Sequence, residues 1–160
     1  MTELIEIAAA GFGSFFFSML FHLRDIKLLA AGLGGVCTWS ICVAVTTASG
    51  SDYLAFFLSA AVASTAAELL ARGFKTPTTT FVVPLLIPLI PGGSLYYAMS
   101  AAVQQDWALF AEKGQQTLFL SISLAAGIMA VSSLKKLLQG LWGLRRENHE
   151  KIKSRLERRL

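Results

Sequence analysis

Apolar residues run along this chain in long blocks, and charge is confined to short intervals between them. Leu28–Ser51 carries no charged residue, and neither does Thr76–Gln105. A bilayer core about 30 Å thick takes about 20 apolar residues per helix, so blocks of this length predict helices that cross it. The pattern divides into five: Leu4–Leu23, Leu28–Ala48, Tyr53–Ala71, Thr78–Met99 and Gln116–Leu134. Arg24–Lys27, Ser49–Asp52 and Arg72–Pro77 connect them as short turns. Ser100–Gln115 is a longer connection, able to lie along a membrane surface. The expected fold is an all-α polytopic integral membrane protein, with residues 1–134 as its transmembrane domain and residues 135–160 as a tail.

The fourth block is the irregular one. Its centre reads PLLIPLIPGGS, and all four prolines of the chain fall between Pro77 and Pro91. An interior proline removes a backbone donor and clashes with the carbonyl one turn back, at roughly 3 kcal/mol relative to alanine. Pro84, Pro88 and Pro91 together predict a kink or a break. Irregular backbone at membrane depth is tolerated where protein buries it or where it lines a water-filled cavity. Transporters use such breaks: unwound carbonyls face cations and the N-terminus of the following half-helix faces anions. Here Gly92, Gly93 and Ser94 are followed by Leu95, Tyr96 and Tyr97. This predicts a break, a Ser94 cap and a restarted helix, with free N–H groups near Gly93–Leu95 for a carboxylate and a tyrosine hydroxyl beside it. The same spacing also fits an interfacial turn whose tyrosines belong to an aromatic belt.

Composition agrees with the membrane reading. Of 160 residues, 54% are hydrophobic and 15% charged, against about 25% charged in ordinary soluble domains, and the mean hydropathy is +0.59. A soluble all-α protein with a large core is the alternative, and the uncharged runs argue against it. The first charges, Glu3 and Glu6, are acidic where a signal peptide would be basic, so the first block is expected to remain as a span. Of the 14 Lys and Arg, all but Lys113 fall in the first turn, the third turn or the segment after the fifth block. An odd number of spans puts those segments on one side, and the positive-inside rule predicts the N-terminus out and the C-terminus in, across the cytoplasmic membrane.

Small residues crowd three of the blocks: Ala8–Gly11, Gly13 and Ser14; Ala30–Gly32, Gly34 and Gly35; Ser59–Ala61 and Ala63–Ala67. They let membrane helices approach closely, and three such faces exceed what five helices need, which points to association with other subunits. Cys37 and Cys42 are five apart, not on one helical face, and read as packing residues. No metal cluster, cofactor motif or catalytic constellation is present, so neither an enzyme nor an ATP-driven pump is expected.

The stretch TPTTTFVVPLLIPLIPGGSLYYAM, residues 76–99, resembles the signature of the threonine/serine exporter (ThrE-like) family, in its small-subunit or C-terminal-domain form. FHLRDIKLLAAGLGG, residues 21–35, is similar to the family's first inside loop, though His22, Leu23 and Arg24 stand where Asn-x-Pro is more usual. The resemblance implies secondary export of threonine, serine or related small carboxylates, dicarboxylates included. It also implies a larger family subunit as partner; homo-oligomers are the other way to use the surplus packing faces. The residues that would bind substrate are then Pro88, Pro91, Gly92, Gly93, Ser94, Tyr96 and Tyr97. A non-transporting membrane scaffold for a partner protein is the alternative function.

The remaining charges divide between bland and sharp readings. Glu68 lies in the third block, four residues before Arg72, which suits an ion pair at the inner face. An acid inside a span is also a proton-coupling candidate. His22 and Asp25 read as surface residues of the first turn, and Thr78–Thr80 as helix caps. In the tail, Ile152, Leu156 and Leu160 recur every four residues between charges, predicting a basic amphipathic cytoplasmic helix against lipid or partner. The net charge of +4 follows from the inside bias, so nucleic acid is not an expected partner.

Overall fold

A computed structural model of the chain describes residues 2–157, with side-chain surroundings for residues 4–137. The described residues form six α-helices and one short 3-10 turn, with no strand. In order these are α1 (Thr2–Leu20), α2 (Ile26–Ser49), α3 (Asp52–Gly73), α4 (Thr79–Leu86), the 3-10 turn Ile87–Leu89, α5 (Gly92–Val103) and α6 (Trp107–Glu157). Three helical segments are long and apolar enough to cross a membrane: Ile26–Ser49, Asp52–Gly73 and Trp107–Leu137. A fourth is available if the pair Thr79–Leu89 and Gly92–Val103, bent by 55°, counts as one span. Leu4–Leu20 is a shorter apolar helix.

The contacts divide the chain into two units, Met1–Ile128 and Met129–Leu160. In the first, α1, α2, α3 and α4 pack side by side and the 3-10 turn sits among them, touching α1, α2 and α3. Glycines set the closeness of α1 and α2. A methyl group built on Gly35 would collide with Ser14 Oγ, one on Gly11 with Val36, and one on Gly32 would meet Phe15 at 3.2 Å. Gly34 turns to another neighbour, with Leu85 of α4 at 2.8 Å from the same notional methyl. Phe81, Leu85 and Leu89, one turn apart, are fully buried, and Phe81 stacks on Phe74 at 5.7 Å where α3 hands over to α4. On the other side of α3, α6 approaches until Gly127 would strike the Phe57 carbonyl if it bore a side chain, and Tyr53 meets Phe119 edge-on at 5.9 Å.

Several boundaries differ from expectation for local reasons. The first helix ends at Leu20, not Leu23: His22 turns to φ 56°, and Leu23 folds back as a buried plug whose N–H donates to the Ser18 carbonyl at 3.3 Å. Ser100–Gln115 is not a long connection. Helix α5 continues to Val103, and after a turn at 104–106 the carboxylate of Asp106 accepts from the Leu109 N–H at 3.1 Å and starts α6. The Ser49–Asp52 turn is as expected, with Gly50 left-handed at φ 66° and its N–H bonded to the Thr46 carbonyl at 2.8 Å. The expected capping by Thr78–Thr80 does not occur: Thr78 precedes α4 in a helical conformation and makes no side-chain cap bond. In the second unit the backbone is helical through Glu157. The amphipathic face expected there lies outside the described side chains, and Leu160 outside the described residues.

Candidate functional site

The proline block is a true break, and its hydrogen bonds show how it is made. Pro84 stands inside α4 and is buried. The next residues tighten into the 3-10 turn, with Pro88 at its start. Ile90 is extended at φ −67°, ψ 122°, and Pro91, at ψ 54°, is the residue from which α5 restarts. The Gly92 N–H donates to the Ile90 carbonyl at 2.6 Å and the Leu95 N–H to the Pro91 carbonyl at 3.2 Å.

Two carbonyls lose their helical partners by stereochemistry alone. One turn beyond Pro84 stands Pro88, which has no N–H, and the Ile87 N–H is already given to Val83. For the Pro88 carbonyl the two residues in range are Pro91, again without N–H, and Gly92, whose N–H goes to Ile90. Burying such an acceptor unpaired costs about 1–3 kcal/mol. Pro84 is buried and Pro88 half-buried.

The residues singled out by sequence lie around this break but do not close into a pocket within the described chain. Gly92 begins α5, ahead of the expected Ser94 cap. Gly92 and Gly93 are exposed, and a side chain on either would meet nothing within 4 Å. Ser94 is not the cap: its hydroxyl donates to the Pro91 carbonyl at 3.1 Å, and α5 has no side-chain cap. The N–H of Leu95 is likewise taken, which narrows the expected anion site to the first turn ahead of it. Tyr96 and Tyr97 pack edge-to-face at 5.6 Å, 69% and 59% exposed. Adjacent residues point about 100° apart on a helix, so the pair presents a broad aromatic edge. Beside it, an open groove of about 690 Å³ runs between α5 and α6, walled by Leu95, Met99, Phe110 and Leu118 over a floor of Ala98 and Gly114.

Glu68 lies on α3. Its carboxylate receives the Arg72 guanidinium at 2.5 Å, with the Glu68 side chain 14% exposed and that of Arg72 64%. Helix geometry makes the pair, one turn apart on α3. Cys37 is exposed and Cys42 buried, both free. His22 and Asp25 are exposed in the first turn, each with positive φ. Among the described residues, no group of His, Cys, Asp and Glu could hold a metal ion.

What the sequence reading undervalued is a set of hydroxyls. Ser14 on α1 is fully buried, and Ser64 on α3 nearly so. Neither hydroxyl has a hydrogen-bond partner among the described residues, nor does the Trp39 indole N–H. Other hydroxyls bond back to the carbonyl one turn earlier, as Ser18 does to Ser14 at 2.5 Å and Thr38 to Gly34 at 2.9 Å. In the sequence Ser14 and Ser64 look like two more small residues on packing faces. The only signal of another role was a hydroxyl placed mid-span.

A broken apolar helix beside helices long enough to cross a membrane is a form that transporters use. The model of the threonine/serine exporter family, ThrE, matches residues 6–134. This chain belongs to that family. The match takes in Glu68, the whole proline block, Ser14 and Ser64, and α6 as far as residue 134. An exporter-type transporter with several membrane passes is the function class the family carries. No curated protein and no solved structure matches the chain.

Proposed function

We propose that this chain is the small subunit of a secondary exporter. In this reading it moves threonine, serine or a related small carboxylate across the cytoplasmic membrane, draws on an ion gradient, and works with a larger subunit of the same family. It has five spans, with α1 as the first and the bent α4–α5 pair as the fourth, N-terminus out and C-terminus in. The basic tail after residue 134 is cytoplasmic.

One observation carries the reading: the break is half built. Its 3-10 turn is held by α1, α2 and α3, yet the start of α5 and both tyrosines are exposed. Irregular backbone does not face lipid, so another surface covers it, and a larger subunit fits that need. Substrate then passes between the subunits along the exposed turn of α5. The first N–H groups of α5 and its dipole favour a carboxylate by roughly 0.3–2 kcal/mol, depending on burial. Gly92 and Gly93 let the backbone come close, and one tyrosine supplies a wall.

The open apolar groove between α5 and α6 favours a second reading, a scaffold that only stabilises a partner. Radiolabelled efflux from cells expressing the larger subunit, with and without this chain, separates the two. The exporter reading expects no export without this chain and loss of export by Gly93→Val with assembly intact. A scaffold tolerates Gly93→Val at full rate.

A further inference from the structure

We propose that Glu68 is a two-position proton carrier, held by Arg72 at one end of its swing and by the hydroxyl of Ser64 at the other, and that the proton is the ion whose gradient drives transport. The use of the carrier in export rests on the exporter reading; the carrier itself stands without it.

Helix geometry sets the row. Ser64, Glu68 and Arg72 are successive i, i+4 positions of α3, which is continuous from Asp52 to Gly73. Side chains at that spacing lie one above the other on a single face. Burial is graded along the row. Ser64 is 7% exposed, and the side chains of Glu68 and Arg72 are 14% and 64% exposed. The carboxyl therefore stands between a hydroxyl inside the bundle and a guanidinium at the open end of the helix.

Both positions have a partner to offer. The Arg72 guanidinium donates to Glu68 Oε1 at 2.5 Å, which is the position of the charged form. One turn the other way, the Ser64 hydroxyl is unspent. Its neighbour Thr65 bonds back to the Ala61 carbonyl at 2.9 Å, as hydroxyls within helices do. Ser64 does not, and its buried oxygen has no hydrogen-bond partner among the described residues. Buried polar groups in native folds are almost always satisfied. Long side chains on a helix lean toward its N-terminus, which for Glu68 is toward Ser64. There a neutral carboxyl donates its O–H to the hydroxyl oxygen. Turning to Arg72, it gives that proton to water at the exposed helix end and pairs as a carboxylate. Turning back, it takes a proton from water on the substrate path.

The neighbouring elements supply no second carrier among the described side chains. Helix α4 and the 3-10 turn carry no titratable group, and α2 carries Lys27, Cys37 and Cys42. Helix α6 meets α3 at Phe119 and Gly127; it carries Glu112 and Lys113, paired with each other, and Lys135 and Lys136, which belong to the second unit. Asp52, on α3 itself, is exposed at the far end of the helix. Carboxyls within a span mark proton relays, and Glu68 is the one that lies mostly buried between two polar partners.

The test is infrared difference spectroscopy of the purified full-length chain in lipid nanodiscs, titrated from alkaline to acid pH. Protonation of Glu68 should raise a carboxylic C=O band that Glu68→Gln lacks. Ser64→Ala should move that band in frequency, and Ser64→Thr, which keeps the hydroxyl, should not. Arg72→Gln should change the midpoint of the band at least tenfold in proton concentration, and Arg72→Lys, which keeps the charge, by less. If Glu68→Gln does not fold, Ser64→Ala read against Ser64→Thr keeps the question answerable on the parental carboxyl. A spectrum that Glu68→Gln leaves unchanged overturns the proposal, as does a Glu68 band that Ser64→Ala leaves in place. Efflux in cells is scored separately. Gradient-driven export that survives Glu68→Gln removes the carrier and leaves the exporter reading standing, whereas the expected band in a chain that supports no export leaves the carrier and removes the exporter reading.

Discussion

Single atoms decide how this bundle closes. Gly34 leaves space that Leu85 fills, and a valine there would drive its methyl groups into that side chain. Overpacking a core costs about 1–3 kcal/mol. Gly34→Val should therefore lower the unfolding midpoint in a detergent–denaturant titration, and Gly93→Val, with open space around it, should leave that midpoint unchanged. The contrast matters because both are glycine-to-valine changes in one chain. If Gly93→Val stops export at normal stability, its effect is on passage and not on folding. Glu68 invites a similar separation. Its partner Arg72 is largely exposed, and such pairs contribute under about 1 kcal/mol. Glu68→Gln should cost little folded yield. With a coupling role for Glu68 it should also abolish gradient-driven export while substrate exchange persists. Pumping at the parental rate, with parental pH dependence, removes Glu68 from the mechanism.

Among the elements, α4, the 3-10 turn and α5 were the most legible. The proline spacing showed that the block is broken, because missing N–H groups and fixed φ angles are properties of the sequence itself, though the helix restarts at Gly92, ahead of the expected Ser94 cap. The details that went unforeseen were those set by neighbours. Ser94 looked like a cap, but Pro91 already occupies that position and the serine hydroxyl turns to its carbonyl. Ser100–Gln115 looked like a surface connection because Glu112 and Lys113 interrupt the apolar pattern, yet Asp106 starts a helix that carries both charges as an adjacent ion pair at 3.0 Å. Ser14 and Ser64 could not be told from packing residues, since unpartnered burial is a tertiary property. The direction of these elements across the membrane is testable with single cysteines in a Cys37→Ser/Cys42→Ser background. Asp52→Cys and Asp106→Cys should react with an impermeant maleimide from outside. Lys75→Cys and Arg158→Cys should react only after the cells are opened. Outside labelling at Lys75→Cys would sink the five-span arrangement.

At the scale of the whole molecule, the chain looks like part of a machine. Its interior is well packed where α1–α4 meet, but the face that carries Gly92, Gly93, Tyr96 and Tyr97 is left open. Family membership supplies the function class, and the proposed partner subunit would cover the exposed start of α5. The central claim is that this break lies on the substrate path of a two-part exporter. Its most direct test is efflux of threonine, serine and succinate from cells carrying both subunits, comparing the parental chain with the Pro88→Ala/Pro91→Ala double variant. Surface abundance and co-purification of the partner are confirmed first. Restoring two N–H donors lets the helix re-form and hides the carbonyls, so the account predicts that export falls to the level of cells lacking this chain. Export by the double variant at the parental rate would contradict it.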